Sequence, residues 1–235
     1  MGVPRRFLAP NDCANCTLRK EGDFCQLSNP LMSLFNEIGH ISLYPPGAAL
    51  LVEGQIPQGI HIVCSGRAKL SVEARDGKTV ILKIAENRDV MGLSAMVSGR
   101  PSPIRVTTIG NCQIKFVEQD DFMRLLETDS RMAMACAIMV AREVNAAFGD
   151  VHDLLLARSS TEKLVRLLLS WVEREPRNRD IRVESEFTHE EMAQMIGSSR
   201  ETVTRLMSEM KRKELIRVEG TKLVIPNRIA LQAIA

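Results

Sequence analysis

The sequence predicts an α+β protein: an N-terminal jelly-roll domain (a double-stranded β-helix), one long helix and a C-terminal winged helix-turn-helix. Three observations predict it: short strand-like segments separated by glycine turns, a sustained apolar heptad, and two capped helices joined at a glycine. The implied domains are a cysteine-rich segment over residues 1–29, a β roll over 30–128, a long helix over 129–158 and the helix-turn-helix over 159–235.

The first 29 residues contain three cysteines in a loop-like stretch rich in Asn, Asp and Gly. Cys13 and Cys16 form a Cys-x-x-Cys motif, and eight residues separate Cys16 from Cys25. A two-residue spacer lets two thiolates reach one metal, and thiolates are preferred ligands of zinc and of iron–sulfur clusters. A fourth ligand has to come from elsewhere in the chain.

Three further cysteines are candidates for that fourth ligand. Cys112 is predicted to face a neighbouring loop, because it follows the turn at Gly110 and begins a strand. Cys64 lies within an alternating strand and Cys136 within the long helix, so both are predicted to be small packing residues. The residues alone leave zinc, an iron–sulfur cluster and free thiols open.

Residues 30–118 alternate between short apolar segments and turn signals. Asp76-Gly77 has the composition of a hairpin turn between two alternating strands. Many short strands of this kind predict a closed double-sheet roll, which can hold a small ligand inside. The strand-like segments are ISLYPPG, ALLVEG, GIHIVCSG, AKLSVEARDG, TVILKIAENRD and CQIKFVEQ. A short helix over 119–127 is predicted to follow.

The long helix carries an apolar heptad, which predicts that it pairs with its own copy in a homodimer. Seven of the eight a and d positions are apolar, Arg158 being the exception. An amphipathic helix packed on its own domain is the alternative. The predicted dimer seam consists of Met134, Ala137, Ala141, Val144, Phe148, Val151 and Leu155.

No membrane association or secretion is expected. The first 12 residues lack the apolar segment of a signal peptide, and the densest apolar run, 132–141, is too short to span a bilayer. We therefore expect a soluble cytoplasmic protein, in which cysteines are kept as thiols or metal ligands rather than disulfides.

Two capping boxes predict a pair of short helices near the C-terminus. Thr188-x-x-Glu191 opens the first helix and Ser198-x-x-Glu201 opens the second. Between them, Gly197 permits a left-handed turn, and the small Ala193 suits a close helix crossing. With Val203 and Leu206 pointing back into the corner, the pattern is that of a helix-turn-helix.

The second helix presents residue types that bind nucleic acid. Arginine donates two hydrogen bonds to guanine, and a carboxylate accepts one from cytosine. Seven Lys and Arg against four Glu between Arg200 and Lys222 suit phosphate contacts. The segment 216–226 is predicted to form the wing, a hairpin turning at Gly220. The candidate base-reading residues are Arg200, Glu201, Thr204 and Arg205.

The order of roll, long helix and winged helix, with the segment GSSRETVTRLM at 197–207, resembles the CRP/FNR family of bacterial transcription regulators. The resemblance implies a non-enzymatic regulator with a cyclic-nucleotide-binding-like roll. It further implies RNA polymerase as a partner, and double-stranded palindromic DNA with half-sites about one helical turn apart. Base contacts would come from Arg200, Glu201 and Arg205, and phosphate contacts from Thr188, His189, Ser199 and Thr202.

The resemblance also addresses the sensor. Cyclic-AMP-binding members use a Gly-Glu step and an Arg-Ser pair, where this chain has Gly92-Leu93 and the segment 100–104, RPSPI. We therefore do not expect cAMP as the effector. FNR-type members hold a 4Fe-4S cluster on four cysteines and sense oxygen, nitric oxide or redox state. By that resemblance the ligands are Cys13, Cys16, Cys25 and Cys112.

Alternatives remain for the sensing part. The same fold would accommodate a structural zinc site, another effector, or haem with His40 or His61 as axial ligand. A thiol-redox enzyme using Cys13 and Cys16 belongs to a different class of protein. Against it, the Cys-x-x-Cys motif lies in a loop rather than in a βαβ unit.

Overall fold

The structure, a computed structural model, describes residues 13, 16, 29–74, 76–156, 159–172, 181–184, 187–219 and 222–234; side chains are not described for 29, 30, 150–156, 172 and 181–184. The chain divides into two compact units. One comprises residues 1–72 and 82–146, and the other comprises 73–81 and 147–235.

The first unit contains a β roll built from two four-stranded sheets. One sheet has the order β1-β8-β3-β6 and the other the order β2-β7-β4-β5. The elements are α1 (Asn29–Glu37), β1 (Gly39–Tyr44), β2 (Ala49–Leu51), β3 (Gly59–Ser65), β4 (Ala68–Glu73), β5 (Thr79–Ala85), β6 (Val90–Met91), α2 (Leu93–Ser98), β7 (Arg105–Thr108), β8 (Cys112–Glu118) and α3 (Gln119–Thr128).

The predicted roll is confirmed, with a strand in each of the six predicted segments. The hairpin at Asp76-Gly77 is also present: Gly77 has φ +79°, and the Asp76 side chain accepts from the Lys78 N–H at 3.2 Å. The short strands β6 and β7 and the helices α1 and α2 were not predicted. Their two to nine residues are too few for apolar periodicity to distinguish them.

The two faces of β3 lie in different apolar clusters, because successive side chains of a strand point to opposite sides. Val63 joins Leu51, Val106 and Ile114 in an interior cluster that both sheets share. Ile60 and Ile62 join a second cluster against the helices, with Phe35, Phe122, Met132 and Cys136. We call these the interior cluster and the helix-side cluster.

The long helix α4 (Ser130–Leu156) confirms the predicted helix over 129–158. Asp129 caps it, since its Oδ1 accepts from the N–H of Arg131 at 2.9 Å and of Met132 at 3.2 Å. Met132 and Cys136 pack into the helix-side cluster. The burial of Cys136 confirms its predicted packing role.

The predicted seam lies on another face of α4 and is exposed within this chain. Met134 is 62% exposed, Val144 48% and Phe148 69%. Ala137 and Ala141 are exposed as well. The side chains of Val151 and Leu155 lie outside the described residues.

By length and composition alone, residues Ser130–Gly149 of α4 are sufficient to cross a membrane. The apolar stretch is therefore longer than the predicted run at 132–141, because Val144, Ala146, Ala147 and Phe148 extend it. One such helix is weak evidence for a membrane. Here part of it packs on the roll, and its exposed apolar residues follow a heptad.

The C-terminal unit is a small helical domain with a three-stranded sheet of order β10-β11-β9. Its elements are α5 (Ser160–Val172), β9 (Ile181–Glu184), α6 (His189–Ile196), α7 (Arg200–Arg212), β10 (Arg217–Glu219), β11 (Lys222–Ile225) and α8 (Arg228–Gln232). The predicted wing is confirmed, since Glu219 pairs with Lys222 across the hairpin. Its turn residue Gly220 lies outside the described residues. That β9 joins this sheet was not predicted.

His61 is a buried histidine at one end of the roll interior. It is 8% exposed, and its ring lies 4.9 Å from that of Phe116. Its Nδ1 has no hydrogen-bond partner among the described residues. Burial, and to a smaller extent the charge of His40, lowers the pKa of His61 from 6.5 to about 4.

We expect the stability of the roll to fall as the pH falls from 6.5 towards 4. The unfolded chain binds this proton more tightly, so the stabilisation is complete above pH 6.5 and is lost as the pH approaches the folded-state pKa. The loss attributable to His61 is about 3 kcal/mol at most. Thermal unfolding by circular dichroism at several pH values should show a flatter profile for His61→Phe. The control His40→Phe, at an exposed ring on the same Phe116, should keep most of the wild-type slope, because burial lowers the pKa of His61 more than the charge of His40 does. Equal slopes in the wild type and His61→Phe would contradict the assignment.

Candidate functional site

The helix-turn-helix begins with the predicted capping box at α6. The Thr188 hydroxyl accepts from the Glu191 N–H at 3.2 Å, and the Glu191 carboxylate accepts from the Thr188 N–H at 2.9 Å. Each residue thereby satisfies a backbone donor that the first helical turn would leave unpaired. This local network sets where α6 starts.

The turn between the helices is made by Gly197 in a left-handed conformation, φ +61° and ψ 45°. A side chain disfavours this conformation, which is why glycine suits the position. The Ser198 N–H donates to the Ala193 carbonyl at 2.9 Å and closes α6. Ala193, Val203 and Leu206 are all buried in the corner, as predicted.

The second helix is capped by Ser199 rather than by the predicted Ser198. Ser199 Oγ accepts from the Thr202 N–H at 3.2 Å. Ser198 Oγ instead pairs with Ser160 Oγ at 3.3 Å. The two serines have the same side chain, so the path of the backbone after Gly197 determines which of them occupies the N-cap position.

The N-terminal half of α7 presents the predicted base-reading residues on one exposed side. Its opposite side is buried in the domain core through Val203, Leu206, Met207 and Met210. That burial fixes the rotation of the helix. The residues left exposed are Arg200, Glu201, Thr204 and Arg205.

His189, a predicted phosphate-binding residue, lies beside this side of α7. His189 Nδ1 and Thr204 Oγ1 are 3.0 Å apart, with donor and acceptor set by the histidine tautomer. Burial, and then the cations Lys211 and Arg200, lowers the pKa of His189. An anion brought to this surface would oppose the effect of those cations.

Glu201 is held as a carboxylate at the start of α7. Its own backbone N–H, and then the Ser199 hydroxyl, lowers the pKa of this exposed group. An ionised carboxylate is an acceptor only, which suits a base amino group. At the far end of the helix Lys211 and Arg212 are exposed, while Lys213 is paired with Glu209 at 2.8 Å.

Of the predicted metal-binding cysteines, Cys13 and Cys16 lie on the helix side of the roll, and Cys25 is outside the described residues. The Cys16 N–H donates to the Cys13 carbonyl at 3.4 Å, as a tight Cys-x-x-Cys turn requires. The Cys13 N–H donates to Asn36 Oδ1 of α1, also at 3.4 Å. Cys13 packs against the helix-side cluster.

The structure does not support the prediction that Cys112 faces the N-terminal loop. Cys112 is fully buried in the interior cluster, where its thiol donates to the carbonyls of Arg67 at 3.0 Å and Gly110 at 3.4 Å. Strand alternation causes this, since Ile114, two residues on, has the same interior face. The interpretation of Cys64 as a core residue was also wrong, because Cys64 is only half-buried.

Among the cysteines of the roll, Cys64 is the one whose pKa the N-terminal pair affects. Burial, and then the neighbouring Cys13, raises the pKa of the Cys64 thiol to about 11, and Cys16 contributes in the same direction. In the part of the chain that the structure describes, no three His, Cys, Asp or Glu side chains are close enough to hold a metal ion. Cys112 therefore does not complete a metal site with Cys13 and Cys16 as it stands, and Cys25 lies outside the described residues.

The region corresponding to a cyclic-nucleotide site lacks the expected ligands. Leu93, where the resemblance would place a glutamate, is 1% exposed and packs in the helix-side cluster. Ser102 is buried, and its hydroxyl donates to the Ile104 carbonyl at 2.8 Å. The hydroxyl hydrogen of Ser102 is therefore already used in a local hydrogen bond. Arg100, the nearby arginine, is exposed.

Comparison with known proteins finds two domain families along the chain. Residues 42–129 match the cyclic nucleotide-binding domain, and residues 162–234 match the Crp-like helix-turn-helix domain. The chain is 25% identical over 194 residues to a CRP-like cAMP-activated global transcriptional regulator of Mycobacterium tuberculosis, covering 81% of this chain and 86% of that protein. It is 22% identical over 204 residues to the cAMP-activated global transcriptional regulator CRP of Escherichia coli, covering 84% and 95%.

Solved structures share the fold. The structure of FixK2 from Bradyrhizobium japonicum superposes with a TM-score of 0.73 at 20% identity, covering 84% of this chain and 97% of that one. The same order of roll, long helix and winged helix is therefore found at low sequence identity.

We expect Thr188→Ala to destabilise the C-terminal domain by about 1 kcal/mol, because it removes the cap of α6. The single tryptophan, Trp171, is buried against Phe187 with ring centroids 5.2 Å apart, so its fluorescence reports unfolding of this domain. Urea titration of the two proteins measures the difference. The control Thr188→Ser keeps the hydroxyl and should unfold near the wild-type midpoint. Identical midpoints for the alanine variant and the wild type would rule out a stabilising cap.

Proposed function

Because this chain belongs to the CRP/FNR family of transcriptional regulators, we propose that it acts as a homodimer that binds palindromic DNA through α7 and responds to a metal centre held by its N-terminal thiols. The family consists of regulators rather than enzymes, so DNA binding is the activity of the C-terminal domain. The observation that carries the proposal is the exposed N-terminal side of α7, oriented by a capped and buried helix-turn-helix.

Direct base readout is proposed for the exposed side chains at the start of α7. Arg200 and Arg205 offer bidentate donors for guanine, and Glu201 offers an acceptor for cytosine. Thr188, His189, Ser199 and Thr202 surround them at the starts of α6 and α7, where backbone N–H groups also favour phosphates. RNA polymerase is the further partner we expect in the cytoplasm.

Arg200→Ala and Arg205→Ala should each weaken binding to the cognate palindrome by about 10- to 100-fold, the loss of a bidentate base contact. Fluorescence anisotropy at one fixed salt concentration, with cognate and scrambled duplexes, measures this. The ratio of the affinities for the cognate and scrambled duplexes should also fall, because the lost hydrogen bonds are made to bases.

Arg124→Ala is the matched control, because it removes an exposed arginine from α3 of the roll. We expect it to leave both affinities unchanged. If the α7 variants bound cognate DNA as tightly as the control, base readout by this side of α7 would be excluded.

A homodimer is proposed because the exposed side of α4 is apolar at heptad spacing. Met134, Val144 and Phe148 leave a hydrophobic stripe that a second copy of the same helix would cover. Two identical helices place two copies of α7 about a twofold axis, and a palindromic site has the same symmetry. Helix pairing of this kind also accounts for the membrane-like composition of Ser130–Gly149.

Val144→Glu and Phe148→Glu should convert the dimer to a monomer at micromolar concentration, because each places a charge inside the seam. Sedimentation velocity across a concentration series measures the change. Ile229→Glu is the matched control, since Ile229 is 79% exposed on α8, away from the heptad. Dimerisation that survived both seam substitutions would show that the chain pairs through another surface.

For the sensor, we propose a 4Fe-4S cluster on the N-terminal thiols that responds to oxygen, nitric oxide or redox state. The support is the cysteine spacing together with the location of Cys13 against the helix-side cluster, which includes Met132 and Cys136 of α4. Binding of a cluster by the N-terminal segment would thereby affect α4, the helix proposed to form the dimer seam. A structural zinc ion on the same thiols is the alternative.

A second candidate effector is cAMP, which the printed names of the relatives assign to those proteins. The match of residues 42–129 to the cyclic nucleotide-binding domain favours it. Against it, Leu93 is buried in the core and the Ser102 hydroxyl is hydrogen-bonded to its own turn. We therefore place the effector site at the thiols rather than inside the roll.

Iron and sulfide analysis of protein purified without oxygen separates these possibilities. We expect about four iron and four sulfide per chain and a broad absorption near 400 nm that decays in air. DNA affinity should change with the decay and should be unaffected by added cAMP. A colourless protein with bound zinc, or one whose DNA affinity rises only with cAMP, would contradict the iron–sulfur sensor.

A further inference from the structure

We propose that His189 is a positioning residue for Thr204, and that protonation of His189 couples base recognition by α7 to pH. The inference rests on the proposed DNA binding by α7 and deepens it, since it names a specificity determinant and a regulator of that surface. The family resemblance assigns His189 only a phosphate contact. The structure gives its ring a second contact, to a residue predicted to read bases.

The side chains of His189 and Thr204 meet across the crossing of two helices. His189 is the first residue of α6 and Thr204 the fifth residue of α7, and Nδ1 of the histidine lies 3.0 Å from Oγ1 of the threonine. The capping box of Thr188 fixes where α6 begins, and buried Val203, next to Thr204, fixes the rotation of α7. The contact therefore follows from the packing of the helix-turn-helix.

The hydroxyl of Thr204 is available to DNA, and His189 controls it. Thr204 is exposed, and within the described part of the chain its hydroxyl has His189 as its hydrogen-bond partner. The neighbouring Ser208 hydroxyl donates to the backbone carbonyl of Thr204 at 2.8 Å and leaves the Thr204 side chain alone. A hydroxyl has one hydrogen to donate, so the histidine ring determines where that hydrogen points.

The protonation state of His189 determines what Thr204 can offer to a base. A neutral ring with a lone pair on Nδ1 accepts the hydroxyl hydrogen, and Thr204 can then only accept from DNA. A protonated ring has N–H groups at both nitrogens, so Nδ1 donates to Thr204 Oγ1 and the hydroxyl hydrogen is released. That hydrogen can donate to guanine N7 or O6, adenine N7 or thymine O4. The Nε2–H is left to donate to a phosphate.

The charges around His189 favour the neutral ring in the free protein. Burial, and then Lys211 and Arg200 of α7, lowers its pKa; within the described residues, neither Glu190 and Glu191 of α6 nor any charged residue of α5, the other helix packed on α6, contributes. The ring is therefore mostly neutral at neutral pH.

DNA reverses this preference. Phosphates brought to the start of α6 oppose the two cations, so the pKa of His189 is higher in the complex than in the free protein. A proton that the complex binds more tightly strengthens DNA binding as the pH falls through the pKa of the complex, and the gain is complete below the pKa of the free protein. Affinity and base discrimination should therefore both rise towards acidic pH.

Fluorescence anisotropy between about pH 8 and pH 6, at one fixed salt concentration, tests this on the full-length protein. The probes are a palindrome that the wild type selects from a random duplex library at about pH 7 and a scrambled duplex of the same composition. As the pH falls, the affinity of the wild type for the palindrome should rise about tenfold, because each half-site takes up protons. The ratio of the affinities for the two duplexes should rise about threefold, because one hydroxyl hydrogen becomes available to a base.

Three variants separate a positioning role from a phosphate contact. His189→Gln keeps a hydrogen-bonding amide but takes up no proton, so its affinity and its ratio should both be constant over this range. Thr204→Val removes the hydroxyl from a side chain of similar shape, so its affinity should still rise but its ratio should stay constant. The control His40→Gln, the same substitution at an exposed histidine of the roll, should follow the wild type. Fluorescence of Trp171 verifies that the C-terminal domain of each variant is folded.

The outcomes distinguish this inference from the proposed function. A pH dependence that His189→Gln retains overturns the inference. A ratio that is constant in the wild type, or that changes as much in Thr204→Val, overturns it as well, since His189 then contacts phosphate alone. In each of these cases the proposed function stands if Arg200→Ala weakens binding to the selected palindrome. If the wild type selects no duplex, the proposed function fails and the inference fails with it.

Discussion

The helix α4 has more apolar surface than its own chain covers, and this imbalance constrains the rest of the protein. One side of α4 buries Met132 and Cys136 against the roll, whereas Val144 and Phe148 remain exposed on another side. Burying such a stripe releases roughly 25 cal/mol for each Å² removed from water, so an uncovered stripe is a strong drive towards association. In the proposed dimer a second copy would cover it, with the twofold symmetry of a palindromic operator.

The helix-side cluster brings Cys13 and the helix α4 into the same packed region. Cys13 rests on the cluster that includes Met132 of α4, with Phe35 and Phe122 between the strands and the helices. Packed interiors transmit displacements because they contain few voids. A change in the order of the N-terminal loop therefore has a short physical route to the helix whose other side forms the seam, and an effector can use it only if its affinity differs between the two arrangements.

Lys115 is a buried cation whose hydrogen-bond partners among the described residues are neutral. A lysine that is 1% exposed is rare unless an anion or a dense set of acceptors accompanies it. Here Asn36 and the Gly39 carbonyl supply acceptors but no charge. Elsewhere in the roll, Leu93 packs in the helix-side cluster, and the side chains of Ser102 and Cys112 are hydrogen-bonded to nearby carbonyls.

The sequence by itself determined the features that depend on near neighbours. The capping box at Thr188, the left-handed turn at Gly197, the hairpin at Asp76-Gly77 and the heptad of α4 follow from residues within a few positions of one another. The orientation of α7, and hence the set of exposed base-reading residues, was predictable for the same reason. Only the tertiary structure decided which sides of β3 and β8 face inward, and so that Cys112 is buried in the interior cluster. Alternation divides each strand into two faces, but it does not show which face points into the core. The bulge at Cys64 depends on a partner strand that begins nearly fifty residues later.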